Sequence, residues 1–162
     1  MSSRDRWGQH FGGDREHIPT VYVDGSCSNN GRSGAQAGSG VYWGPDHPMN
    51  VSERVYGRQT NQTAELWAAH KAIEQARTQN IDKLIIKTDS KFVIKGATEW
   101  VDKWKQNGWK TASGGDVVNR SDFEKIDQAS QGMAIQWEYV PGHRGIKGNE
   151  EANRLAVEGA KK

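Results

Sequence analysis

The sequence is poor in several features that define large classes of proteins. It contains one cysteine, Cys27, so neither an intrachain disulfide nor a cysteine-rich zinc site can form. Its apolar runs, such as Leu84-Ile85-Ile86, span only a few residues, whereas a membrane-spanning helix needs roughly 20. No apolar secretory segment opens the chain. We therefore expect an intracellular protein outside the membrane, cytoplasmic if the source is prokaryotic and nuclear or mitochondrial if it is eukaryotic.

The motifs of several enzyme classes are also missing. The chain has no G-x-x-x-x-G-K-[ST] phosphate loop, no H-E-x-x-H zinc motif and no G-x-S-x-G nucleophile motif. Gly38 and Gly40 lack the remaining spacing of a dinucleotide-binding fingerprint, so we interpret them as strand glycines or a bulge. The 22 basic and 20 acidic residues give a net charge of +2, which by itself does not indicate a nucleic-acid partner.

Alternating strand and helix patterns fill the chain after residue 17. Residues 1–17 combine glycine with balanced charge and show no periodicity, and we expect a flexible N-terminal tail before one domain over 18–160. The patterns predict strands at 18–24, 38–43, 51–56, 83–88 and 134–140, and helices at 61–79, 90–96, 98–106, 121–130 and 149–159. The order βββαβαααβα predicts an α/β fold with a mixed five-stranded sheet and helices on both faces.

Three acidic residues are predicted to meet at one edge of this sheet. Asp24 and Asp89 each close an apolar strand, and they emerge side by side if the two strands pair in parallel. Glu65 lies in the first turn of the helix between them. Each residue alone is readily explained as a turn or capping residue. Together they favour a cation site, because converging carboxylates repel one another and hard oxygen ligands suit Mg²⁺ or Mn²⁺.

Six ordered segments of the chain carry a family resemblance. They are Tyr-Val-Asp24-Gly-Ser, Thr60-Asn-Gln-Thr-Ala-Glu65, Thr88-Asp89-Ser, the tryptophan-containing stretch 100–109, Val140-Pro-Gly-His143 and Gly148-Asn-Glu-Glu-Ala. Over residues 18–160 the chain resembles the catalytic domain of type 1 ribonuclease H, in particular its eukaryotic form with a basic protrusion. A proofreading-type exonuclease usually carries Asp-x-Glu on its first strand, where this chain has Asp24-Gly25-Ser26.

The resemblance implies an RNase H-like fold and a monomeric endonuclease. It implies hydrolysis of the RNA strand of RNA–DNA hybrids, with 5′-phosphate and 3′-hydroxyl products and two Mg²⁺ ions that Mn²⁺ can replace. In family terms Asp24 bridges both ions, while Glu65 and Asp89 hold the ion on the leaving-group side. Glu65 also contacts a ribose 2′-hydroxyl, the group that distinguishes RNA from DNA. His143 is implied to assist proton transfer or the exchange of metal and product.

The fourth position of the predicted site departs from the family pattern. Asn153 stands where the family has aspartate, so four negative charges become three and the metal on the nucleophile side should be held more weakly. One hypothesis is a chain that keeps its substrate site but turns over poorly, which amounts to a hybrid-binding protein. The other is a variant tolerated by its surroundings. We expect reduced but nonzero activity.

A substrate-binding surface is predicted around residues 91–110. Five lysines oppose two acidic residues there, a net charge of +3, and such a patch can follow a phosphate backbone. Aromatic rings beside lysines can stack on sugars or bases. The resemblance implies that Trp100 and Trp104 line a channel for the DNA strand, with Trp109 and Lys110 in the protrusion. It further implies a DNA-phosphate pocket of Arg58, Thr60 and Asn119, and minor-groove contacts from Asn30, Asn61, Gln62 and the backbone of Cys27.

Overall fold

A computed structural model describes residues 18–162, and the expectation of a flexible tail at 1–17 falls outside them. Five strands and five α-helices follow one another in the predicted order. The strands are β1 (Thr20–Ser28), β2 (Gln36–Tyr42), β3 (Val51–Arg54), β4 (Lys83–Thr88) and β5 (Ala134–Tyr139). The helices are α1 (Asn61–Thr78), α2 (Lys91–Lys95), α3 (Val101–Asn107), α4 (Arg120–Ala129) and α5 (Lys147–Gly159), with a π-helical turn, Gly96–Trp100, between α2 and α3.

The five strands form one mixed sheet in the order β3-β2-β1-β4-β5. The first three strands run antiparallel as a meander, and β1 pairs in parallel with β4, which pairs in parallel with β5. This confirms the predicted fold class. It also brings the carboxyl ends of β1 and β4 to the same edge of the sheet.

Helices cover both faces of the sheet. On one face, α1 packs against β1 and β2 and α4 packs against α1, enclosing the main apolar core. On the other face, α5 crosses β2 and β1. A Cβ at Gly38 or Gly40 would lie 2.1 Å from backbone atoms of α5, so these residues are strand glycines that let the helix approach closely. None of the helices in residues 18–162 is long and apolar enough to cross a membrane.

Two predicted boundaries are wrong for identifiable reasons. Strand β1 does not end at Asp24, because residues 25–28 continue to pair with β2 as far as Ser28 opposite Gln36. The predicted break between two short helices near Gly96 is also absent, since helical backbone continues from Lys91 to Asn107 through the π-helical turn. Gly96 lies within this helical segment and makes room for Phe123, because a Cβ there would lie 2.1 Å from its ring.

Candidate active site at the carboxyl edge of the sheet

Three carboxylates converge where the parallel part of the sheet ends. The last parallel pair of β1 and β4 is Tyr22 with Lys87, and Asp24 and Asp89 each lie two residues beyond it. One carboxylate oxygen from each of Asp24, Glu65 and Asp89 lies within 4.8 Å of the others. The structure therefore brings together the three acidic residues that the sequence singled out.

Glu65 reaches this edge because β1 and the start of α1 touch. A Cβ on Gly25 would lie 2.4 Å from the backbone nitrogen of Glu65, so only glycine permits the approach. The side chain of Thr60 caps the helix by accepting a hydrogen bond from the Thr63 N–H at 3.0 Å. The Ser39 hydroxyl on β2 donates to the carbonyl of Ala64 at 2.7 Å and ties the same turn to the sheet.

Asp24 is buried and Glu65 and Asp89 are half-buried, and no lysine or arginine among the described residues forms an ion pair with them. Asp24 is 3% exposed. Burial, followed by the negative charge of Asp89, raises the pKa of Asp24 to about 6. Burial also raises the pKa of Glu65 to about 7, against a hydrogen bond from Ser90 that favours its charged form. Both shifts indicate that this edge would bind a cation favourably, and its oxygen donors suit a hard divalent ion.

Asn153 lies in direct contact with the cluster. Its side-chain amide donates a hydrogen bond of 2.8 Å to Oδ2 of Asp24, while the N–H of Gly25 donates to Oδ1 at 2.9 Å. The contact follows from the fold, since Asp24 pairs with Gly40 across the sheet and α5 crosses at Gly40. In this orientation the amide presents its hydrogens, not its carbonyl oxygen, to Asp24.

The loop after β5 brings His143 to the same edge. Backbone pairing continues beyond the strand, with the N–H of Val140 donating to the carbonyl of Thr88 at 2.9 Å. The loop then passes Asp89 so closely that a Cβ on Gly142 would lie 2.6 Å from its carboxylate oxygen. His143 follows in a left-handed conformation, with φ of 55°, and its charge contributes to lowering the pKa of Asp24.

The residues predicted for a phosphate pocket gather at the N-terminus of α1. The Asn119 amide donates to Oγ1 of Thr63 at 3.3 Å, and the Thr60 and Thr63 hydroxyls are 2.9 Å apart. Arg58, two residues before Thr60 in the sequence, is exposed. Thr63, three residues after the cap, was not among the predicted pocket residues, yet it contacts both Thr60 and Asn119.

Four residues are predicted to contact the bases and sugars of a substrate. The N–H of Asn61 donates to Oδ1 of Asn30 at 3.1 Å, so these two residues adjoin. Gln62 is exposed. The thiol of Cys27 is half-buried, 3.5 Å from the carbonyl oxygens of Ser28 and Gln59.

Three tryptophans, in α3 and next to its two ends, form a continuous row of aromatic rings. Ring centroids are 5.8 Å apart for Trp100 and Trp104, and 5.7 Å apart for Trp104 and Trp109. Trp109 is 8% exposed, and the Arg120 guanidinium lies 5.4 Å from its ring centroid, so little of this ring remains for a ligand.

Acidic residues from outside the stretch 91–110 reduce its positive charge. Lys110 pairs with Asp116, and Lys105 pairs with Asp127 at 3.0 Å. The net charge counted over the stretch therefore overstates the positive surface that a phosphate backbone would meet.

A mixed five-stranded sheet with helices on both faces and three carboxylates at its parallel edge defines an RNase H-like domain with a candidate metal-dependent site. The family model described as RNase H matches residues 16–161, and the chain belongs to this family. Ribonuclease H1 of Rattus norvegicus is 62% identical over 141 residues, covering 87% of this chain and 50% of that protein. The chain thus spans about half the length of its mammalian relatives.

Bacterial and structural relatives agree with this assignment. Ribonuclease HI of Pseudomonas aeruginosa is 35% identical over 146 residues, covering 90% of this chain and 95% of that protein. Among solved structures, LC9-RNase H1, described as a type 1 RNase H with the type 2 active-site motif, is 34% identical with a TM-score of 0.70. That match covers 89% of this chain and 73% of the solved one.

Proposed function

We propose that this chain hydrolyses the RNA strand of RNA–DNA hybrids in a reaction that requires divalent cations. The observation that carries the proposal is the convergence of Asp24, Glu65 and Asp89 within 4.8 Å at the parallel edge of an RNase H fold. The relatives named ribonuclease H, one of them 62% identical, support the same reaction.

The donor set fits Mg²⁺, which prefers carboxylate oxygens, and Mn²⁺ can replace it. Two ions would be held here: Asp24, Glu65 and Asp89 would hold the ion on the leaving-group side, and Asp24 with Asn153 would hold the other. Asp24 suits the shared position, since it contacts Asn153 and belongs to the cluster with the other two carboxylates. When bound, the ions supply activation of the attacking water and stabilisation of the departing 3′ oxygen.

The protein's own groups orient the substrate and the ligands. Ser90 hydrogen-bonds the Glu65 carboxylate and so orients it, and Glu65 recognises a ribose 2′-hydroxyl. His143 assists the transfer of a proton or the departure of product, on a loop held against Asp89 through Gly142. Products carry a 5′-phosphate and a 3′-hydroxyl.

Surfaces outside the carboxylate cluster bind the hybrid by recognising the shape and the sugar–phosphate backbone of the nucleic acid. We assign the DNA strand to the aromatic row, chiefly Trp100 and Trp104, with Trp109 and Lys110 supporting its end. A DNA phosphate occupies the pocket of Arg58, Thr60 and Asn119, where Arg58 supplies the charge. Base edges and sugars contact Asn30, Asn61, Gln62 and the backbone of Cys27. The protein acts as a monomer.

A cleavage assay on matched substrates tests this proposal. An end-labelled RNA is incubated as an RNA–DNA hybrid and, in parallel, as duplex RNA, with Mg²⁺ or with chelator. We expect cleavage of the hybrid with Mg²⁺ only, and loss of cleavage in Asp24→Asn. Cleavage of the duplex RNA at a similar rate, or cleavage of the hybrid with chelator, contradicts the proposal.

A second candidate is a hybrid-binding protein with an impaired active site. It is favoured by Asn153, whose amide donates to Asp24 where a fourth carboxylate would otherwise face the cations. Hybrid affinity measured in Ca²⁺ and turnover measured in Mg²⁺ separate the two candidates. Tight binding without product identifies the second candidate, whereas slow but measurable turnover identifies the first.

A further inference from the structure

An exposed lysine and an exposed tyrosine form a pair beside the carboxylate cluster. Lys91 begins α2, two residues after Asp89, and Tyr139 ends β5 opposite Thr88 in the parallel register. The Lys91 ammonium lies 5.1 Å from the centroid of the Tyr139 ring. Both residues therefore emerge at the edge of the sheet where the carboxylates lie.

Among the described residues, the charge of Lys91 has no ion-pair partner. Within residues 18–162, no carboxylate lies within 4.0 Å of its ammonium, in contrast to Lys105 and Lys110. Tyr139 is 48% exposed, and Tyr56, at 78%, is the other exposed large aromatic side chain within residues 18–162. A cation–π contact limits where a flexible lysine places its charge while leaving the ammonium hydrogens free for another partner.

We propose that Lys91, positioned by Tyr139, binds a phosphate of the cleaved RNA strand next to the phosphate that is hydrolysed. The proposal rests on the proposed nuclease function. The carboxylate cluster fixes the position of the hydrolysed phosphate, and a lysine two residues from Asp89 reaches a neighbouring phosphate of that strand. Lys91 is a binding residue in this scheme, and Tyr139 is a positioning residue that acts through it.

The salt dependence of hybrid binding provides the first test. Binding in Ca²⁺ is measured over a salt series for the full chain, Lys91→Met, Lys91→Arg and the control Lys83→Met. Lys83 is an exposed lysine at the opposite end of β4, so its replacement changes the net charge equally. We expect Lys91→Met to weaken binding roughly fivefold at low salt and to reduce the salt slope by about 1, with Lys91→Arg and Lys83→Met close to the wild type. Equal slopes for Lys91→Met and Lys83→Met would overturn the proposal.

Neutralising single phosphates locates the contact. Methylphosphonates are placed one at a time on either side of the cleaved position in the RNA strand, and at the facing positions in the DNA strand. The Lys91→Met effect should disappear when one of the two RNA phosphates is neutral. If it disappears only with a DNA substitution, or with none, the assignment is wrong.

Tyr139 variants test the positioning role. Tyr139→Ala keeps the charge of Lys91, so we expect roughly twofold weaker binding with an unchanged salt slope, whereas Tyr139→Phe retains the ring and should match the wild type. If Tyr139→Phe and Tyr139→Ala lose equal affinity, the ring is not what positions Lys91. A wild-type chain that fails to cleave any hybrid rejects the proposed function. Cleavage combined with a wild-type salt slope in Lys91→Met rejects only this inference.

Discussion

Replacing Asp24 with asparagine should stabilise the cation-free protein while abolishing the proposed cleavage of hybrids. Asp24 is 3% exposed, and burial beside Asp89 raises its pKa from 3.8 to about 6. The folded state therefore binds this proton more tightly than the unfolded state does. The resulting stability is present below pH 3.8 and is lost as the pH rises through about 6.

The stability lost when Asp24 ionises can be calculated from its raised pKa. About 2 pKa units at 1.36 kcal/mol each mean that ionised Asp24 costs the cation-free fold about 3 kcal/mol at pH 7.5. Asparagine is close in shape and uncharged, and the Asn153 amide can turn to accept a hydrogen bond from it. We expect Asp24→Asn to gain about 1–3 kcal/mol in free energy of unfolding, or roughly 2–12 °C in Tm.

Urea unfolding in chelator at pH 7.5 and at pH 4.5 measures this gain. At pH 4.5 Asp24 is largely protonated in the folded wild type, so the difference between the two proteins should shrink markedly. Asp82→Asn, which removes one negative charge from an exposed position, should change stability by less than about 0.5 kcal/mol. Mg²⁺ should raise the Tm of the wild type and not that of Asp24→Asn. A variant less stable than the wild type at pH 7.5, or a gain at pH 4.5 as large as that at pH 7.5, would refute the reasoning.

Three other predictions concern the same edge of the sheet. Asn153→Asp introduces a fourth carboxylate and should raise turnover and lower the Mg²⁺ concentration needed for half-maximal cleavage; equal rates and equal metal dependence would show that Asn153 does not impair the site. Gly25→Ala places a Cβ 2.4 Å from the Glu65 nitrogen and should lose more than about 2 kcal/mol in urea unfolding, whereas Gly115→Ala, with no atom nearer than 3.5 Å, should lose little. Since the pKa values of Asp24 and Glu65 are about 6 and about 7, Mg²⁺ affinity measured by calorimetry should fall as the pH is lowered from 8 to 5.5; a flat profile would contradict burial as the cause of the shifts.

The sequence predicts the position of the carboxylates well because the relevant signals are local. The apolar residues before Asp24 and Asp89 indicate strands, and the helix between them makes a parallel pairing the natural connection. The observed register places both aspartates two residues beyond the last parallel pair. Glu65 follows from the same logic, because its helix begins at a recognisable threonine cap.

Other parts of the structure depend on contacts between distant segments and leave no local signal. The extension of β1 to Ser28 depends on pairing with β2, and Gly96, inside the helical segment, packs against the ring of Phe123 from another helix. The ion pairs of Lys105 with Asp127 and Lys110 with Asp116 reduce a positive charge that a count along one stretch overstates. Glycines lie at the first two of these places, Gly25 and Gly96. Because glycine is compatible with strand, helix and turn, the structure around it is determined by the residues that it contacts.

The contact between Asn153 and Asp24 links the stability of this site to its chemistry. The amide hydrogen bond is one of the interactions that lower the pKa of Asp24, so it offsets part of the cost of burying that carboxylate. A carboxylate at position 153 would instead add to the repulsion and strengthen cation binding. Asn153→Asp should therefore increase the affinity for divalent ions and decrease the stability of the protein in their absence.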